Sequence, residues 1–151
     1  VNNRFDQLGY AVVGMEPNEK HQGANGVLIK DNTVGTYSLN GQYRGYLLFA
    51  CDAPWMQGRS TIQNVTLTGN TVAGNRNGKT NVMLGLNVKI CGDRGIRRNF
   101  TITDNTASKA APGPVMRFQD VSGVTVKRNK QPLSSGALSM FPGSSNVDYV
   151  R

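Results

Sequence analysis

The apolar positions of this chain fall into short runs that alternate with hydroxyl-bearing residues. Val65 and Leu67, Phe100 and Ile102, and Val124 and Val126 are each two apart, with Thr66, Thr68, Thr101 and Thr103 among the partners between and after them. A period of two is that of a strand with one buried face. Each run closes on an asparagine, the residue type that suits a tight turn.

These runs are copies of one motif. Gly26-Val-Leu-Ile-Lys-Asp-Asn32, Asn64-Val-Thr-Leu-Thr-Gly-Asn70, Asn99-Phe-Thr-Ile-Thr-Asp-Asn105 and Gly123-Val-Thr-Val-Lys-Arg-Asn129 all read Asn or Gly, then apolar-x-apolar, then asparagine six residues after the start. A second set of apolar runs, Tyr10–Met15, Tyr46–Cys51, Val82–Leu86, Val115–Phe118 and Ala137–Phe141, predicts a second column of strands. The closing asparagines stand 38, 35 and 24 residues apart, so the repeat is variable while the motif stays intact. That is how loop insertions decorate a solenoid.

A coil of about two dozen residues with two or three short strands and stacked asparagines resembles the right-handed parallel β-helix of pectate lyases and other polysaccharide-active proteins. The resemblance covers nearly the whole chain. It implies an all-β, single-stranded parallel β-helix of about four to five rungs, with residues 1–151 forming one domain. Asn32, Asn70, Asn105 and Asn129 then form a structural ladder, because asparagine tolerates the left-handed backbone and its amide can bond to its equivalent one rung away. Val1-Asn2-Asn3 reads as the end of a motif whose beginning is absent. The expectation is a domain truncated at its N-terminal end, covered there by upstream rungs or by another copy.

Seventeen Lys and Arg against nine Asp and Glu give a formal charge of +8, which attracts polyanions. The basic residues are spread over most rungs without interleaved aromatics, which speaks against nucleic acid. No window carries enough consecutive apolar residues to cross a membrane. Cys51 and Cys91 form no CxxC pair, which leaves one disulfide and two buried thiols both open. No metal and no cofactor is expected.

Aligning the second column puts Glu16, Asp52, Asn87 and Asp120 at one place. On that alignment Glu16 and Asp52 are the candidate catalytic carboxylates of a polysaccharide hydrolase or lyase, near the about 5–5.5 Å separation of a retaining glycosidase. It also sets Asp52–Arg59 and the segment from Asn87 to Arg94 at equal length, stacking Arg59 over Arg94 as a cradle for an acidic sugar. Trp55, the only tryptophan, can stack on a sugar ring or fold back on the core, and Tyr46 joins it along the groove. In the same alignment Cys91 lies four positions past Asn87, which puts a bridge to Cys51 in doubt.

The acidic and histidine motifs of polygalacturonase-like hydrolases are missing, since Asn70-Thr-Val72 and Asn105-Thr-Ala107 lack the aspartate, and the acids form no calcium cluster. His21 falls in a polar loop with neither cysteine placed beside it. The outward threonines resemble an ice-binding grid, but Lys30 and Lys127 interrupt it. The leading expectation is a secreted or surface-exposed module, on a cell or a virion, that engages polysaccharide, an acidic one by its charge. The competing expectations are an enzyme in its own right using Glu16 and Asp52, and a structural segment of the tailspike or adhesin type without a catalytic site.

Overall fold

The computed structural model describes residues 1–6, 8, 11–19, 21–35, 47–52, 60–72, 86, 88–92, 95–108 and 116–130, and the backbone of 139–140 and 145–150. In order, the strands are β1 (Arg4–Phe5), β2 (Val13–Met15), β3 (Gly23–Lys30), β4 (Thr33–Val34), β5 (Leu48–Ala50), β6 (Thr61–Thr68) and β7 (Thr71–Val72). The remainder are β8 (Val88–Cys91), β9 (Ile96–Thr103), β10 (Thr106–Ala107), β11 (Met116–Gln119), β12 (Val121–Lys127), β13 (Ser139–Met140) and β14 (Ser145–Val150).

From β1 to β12 every third strand joins the same sheet, and β13 and β14 then extend the second and third sheets. Sheet 1 runs β1-β4-β7-β10, sheet 2 runs β2-β5-β8-β11-β13, and sheet 3 runs β3-β6-β9-β12-β14. All pairings are parallel. The chain is a parallel β-helix, each coil visiting the three sheets in turn. The repeated motif occupies sheet 3, with Val65 facing Phe100 and Phe100 facing Val124. The second column of apolar runs is sheet 2. Sheet 1 was not anticipated as a column of strands, because its members are dipeptides too short for a period to show.

The alternation fills a single core. Val65, Leu67, Phe100, Ile102, Val124 and Val126 are buried from sheet 3, Leu48, Ala50, Val88, Ile90, Met116 and Phe118 from sheet 2, and Val34, Val72 and Ala107 from sheet 1. Burying each large side chain of this set is worth about 1.5–3 kcal/mol.

The asparagine ladder runs through the turn between sheets 3 and 1. The side-chain Oδ1 of Asn70 accepts from the Asn32 backbone N–H at 3.0 Å and from its Nδ2 at 2.8 Å. Asn105 does the same for Asn70, at 3.0 and 2.8 Å, and Asn129 for Asn105, at 3.1 and 2.9 Å. Asn3 extends the series to the first coil, donating to Asn32 Oδ1 at 2.9 and 3.1 Å. Each inner amide also donates backwards to a carbonyl of the preceding coil: Asn70 to Ile29, Asn105 to Leu67 and Asn129 to Ile102. Hydrogen bonds made in this way offset the desolvation of a buried side-chain amide.

The left-handed residue is not the ladder asparagine. Positive φ falls one position earlier, at Asn2, Asp31, Gly69, Asp104 and Arg128, and again at the start of the motif, at Gly26, Asn64, Asn99 and Gly123. This explains why the motif opens on Asn or Gly, the residues that reach that region at least cost. Arg128 is the exception, and Asp104 holds its guanidinium from the neighbouring coil by two bonds of 2.6 and 2.7 Å.

Loop insertions fall where the repeat spacing places them, between sheets 1 and 2 and between sheets 2 and 3. The register of sheet 2 differs from the expected one. Its third strand is Val88–Cys91 and not Val82–Leu86, and Ala50 faces Ile90. Cys51 therefore stands over Cys91, and the two form a disulfide with a Cα–Cα distance of 4.7 Å. The doubt about the bridge came from placing Asn87, instead of Gly92, level with Asp52; the insertion in the third coil lies before the strand, not after it.

Candidate functional site

The corrected register redistributes the expected site. Met15 faces Ala50, so Glu16 stands over Cys51 and is one place out of step with Asp52. In a strand one place is the difference between faces. Glu16 is exposed, whereas the Asp52 side chain is 1% exposed and turned to the interior. The structure does not bring these carboxylates together on one face. Equal loop length also fails: ten residues separate Ala50 from Thr61, and five separate Ile90 from Ile96. Tyr46, Trp55, Arg59, Asn87 and Arg94 lie outside the described residues.

Asp52 serves a different purpose. Arg97 Nη2 donates to its Oδ1 at 2.7 Å, the Ser60 hydroxyl donates to the same oxygen, and Arg97 Nε and Nη1 reach the carbonyls of Ala50 at 3.3 Å and Ile96 at 3.0 Å. Arg97 occupies an inward column otherwise made of Ala24, Ile62 and Val121, and its side chain is fully buried. Asp52 and Ser60, which flank residues 53–59 in the sequence, are joined by their hydrogen bond. Sequence reasoning missed the ion pair because nothing local pairs Arg97 with an acid 45 residues earlier.

The outer face of sheet 2 sets two cations in register on adjacent coils. Alternation turns Gly14, Phe49, Lys89 and Arg117 outward, and the register sets them in one column on successive coils. Phe49 is nonetheless only 9% exposed, packed with Cys51, Cys91 and Ala11 into a small apolar cluster outside the solenoid wall. Lys89 Nζ lies 5.8 Å from the centre of the Phe49 ring, within the range of a cation–π contact. Arg117 follows on the next coil, half-buried, its planar fork suited to bidentate contact with a carboxylate or sulfate. Neighbouring coils are about 4.8 Å apart. The signal was present in the sequence as Val-Lys-Ile-Cys and Met-Arg-Phe-Gln, each with a cation at the outward place, but became readable only with the register.

Sheet 3 presents a different surface. Its outward columns carry Asn25, Gln63, Arg98 and Ser122, then Leu28, Thr66, Thr101 and Thr125, then Lys30, Thr68, Thr103 and Lys127. Arg98 donates to Gln63 at 2.6 Å, and the Asn25, Asn64 and Asn99 amides form a second, exposed stack at 2.8 and 3.0 Å. These contacts are used up within the sheet. Among the described residues no group of three His, Cys, Asp or Glu is arranged to hold a metal, and no helix is long and apolar enough to cross a membrane.

Comparison with known protein families, with curated proteins and with solved structures returns no match, so the functional reading rests on the geometry of this chain.

Proposed function

We propose that the chain is a polysaccharide-interacting β-helix module whose ligand is an anionic polymer lying along the outer face of sheet 2. The observation that carries this reading is the in-register column of Lys89 and Arg117 beside the Phe49 ring and the Cys51–Cys91 bridge. Two cations repeated at the coil spacing suit a ligand that repeats its own charge, and a formal charge of +8 assists its approach. The disulfide suits an oxidising compartment, which supports a secreted or surface location. A pectate-lyase-like kinship remains part of this proposal, supported by the β-helix alone; no catalytic step is assigned to it.

Calorimetric titration with polygalacturonate, a sulfated glycan and neutral dextran tests the reading. Binding to one of the charged polymers, falling with salt and absent for dextran, is expected. Lys89→Ala with Arg117→Ala weakens it by about 2 kcal/mol, roughly thirtyfold in Kd. Equal binding by the double variant would overturn the site.

A second reading is a structural segment of an assembly, which the unbranched stack of three parallel sheets supports. Light scattering separates the two: a strict monomer that binds glycan supports the first.

A further inference from the structure

Most arginines and glutamines of the described residues are bonded within the protein. Arg97 donates to Asp52, Arg98 to Gln63 and Arg128 to Asp104, while Gln22 accepts from the backbone of Asn18 and Glu19. Arg117 and Gln119 are different. Neither side chain has a hydrogen-bond or ion-pair partner among the described residues, although both are half-buried.

Strand β11 sets the two on one face. Met116 and Phe118 are buried, so Arg117 and Gln119 both point away from the core. Two places along a strand is about 6.6 Å. The register completes the surroundings: Arg117 stands beside Lys89, and Gln119 beside Cys91, whose disulfide partner is Cys51. A cation and an apolar sulfur bridge thus lie on one coil, and a cation and an uncommitted amide on the next, about 4.8 Å away. The backbone is tied down at this point, since the Gly92 N–H donates to the Gln119 carbonyl at 2.7 Å. Only glycine fits there, because a Cβ on Gly92 would collide with the Asp120 carbonyl.

We propose that Gln119 is the specificity-determining residue of the anionic-polymer site on sheet 2, reading a hydroxyl that the ligand carries beside its charged group; the assignment rests on that site. Lys89 and Arg117 are donors only and attract any polyanion alike. A primary amide is donor and acceptor at once, and so is a sugar hydroxyl, which donates to Oε1 or accepts from Nε2. A bare polyanion such as polyphosphate presents acceptors alone and leaves Oε1 facing negative oxygen. A half-buried amide oxygen without a donor loses hydration for no return. Arg117 therefore supplies attraction, and Gln119 the preference for an acidic sugar over other chains of charge.

Gln119→Met keeps the length and most of the volume of the side chain and removes the amide. Calorimetric titration of this variant and the wild-type chain with polygalacturonate, a sulfated glycan and linear polyphosphate tests the role. The variant should bind the preferred glycan about fivefold more weakly, the share of one neutral hydrogen bond, and polyphosphate less than about twofold more weakly. Its melting temperature should be unchanged, and Arg117→Ala should weaken every polymer that binds. Equal losses for glycan and polyphosphate, or no loss for the glycan, refute the role of Gln119 and leave the site standing. Failure of the wild-type chain to bind either glycan removes the site, and this role with it.

Discussion

The turn between sheets 3 and 1 and the corner where sheet 2 leads into sheet 3 both bury polar side chains, in opposite ways. At the turn one residue type recurs on every coil, and Asn32, Asn70 and Asn105 are buried with each amide satisfied by its neighbours. At the corner a single ion pair, Asp52 with Arg97, occurs once, and Asp52 Oδ2 has no partner among the described residues. Repetition lets the turn share its cost over the whole solenoid. The corner concentrates its cost on one coil, at the start of the ten-residue connection between Ala50 and Thr61. The part of a repeat protein that departs from its own repeat is the part free to acquire a role.

Breaking one half of the corner pair gives the largest expected effect. Asp52→Ala strands the buried guanidinium and should cost about 3–5 kcal/mol in urea unfolding, whereas Asp52→Leu with Arg97→Met should recover most of it. If the single and double variants are equally unstable, the corner behaves like the turn and the contrast fails. Removing the disulfide by Cys51→Ser and Cys91→Ser opens a closed loop with a sequence separation of 40, and should cost about 2–5 kcal/mol in the same assay. Asn70→Ala should cost about 1–3 kcal/mol, and its damage should spread to Asn32 and Asn105, read as faster amide exchange on both neighbouring coils.

The smallest effect belongs to the exposed pair at the turn. The Arg128 guanidinium bonded to Asp104 holds that carboxyl below its usual 3.8, and Asp104 in turn raises Arg128. A depressed carboxylate contributes stability that is present above its unfolded value and lost as pH falls through the lowered folded value. Asp104→Asn should therefore flatten the acid limb of a pH–melting profile slightly, and added salt should erase the difference.

What was legible in the sequence follows the same division. The ladder and the alternation of sheet 3 are local and recurrent, so Asn32, Asn70, Asn105 and Asn129 could be read directly. The left-handed positions were assigned to these asparagines when they fall on the residue before, because a turn signal marks a neighbourhood and not a φ angle. Sheet 2 was legible as a column but not in register. Residues inserted before Val88 and after Asp52 shift the count, and a shift of one place exchanges the faces of Glu16 and Asp52. Arg97 follows an exposed Ile96, against the usual order of apolar inside and charged outside, and only the distant Asp52 accounts for it. The Lys89–Arg117 column was hidden for the same reason.

The ladder has a sense as well as a period. Asn70 and Asn105 each pass one hydrogen toward the later coil at Oδ1 and one toward the earlier coil at a carbonyl, so these coils present the same chemistry upward and the same complementary chemistry downward. A cut made at one ladder position and rejoined at the equivalent position of another coil leaves each donor opposite an acceptor. Whole turns can therefore be excised or duplicated as cassettes, with the length of the shaft set by gene rearrangement and its cross-section untouched.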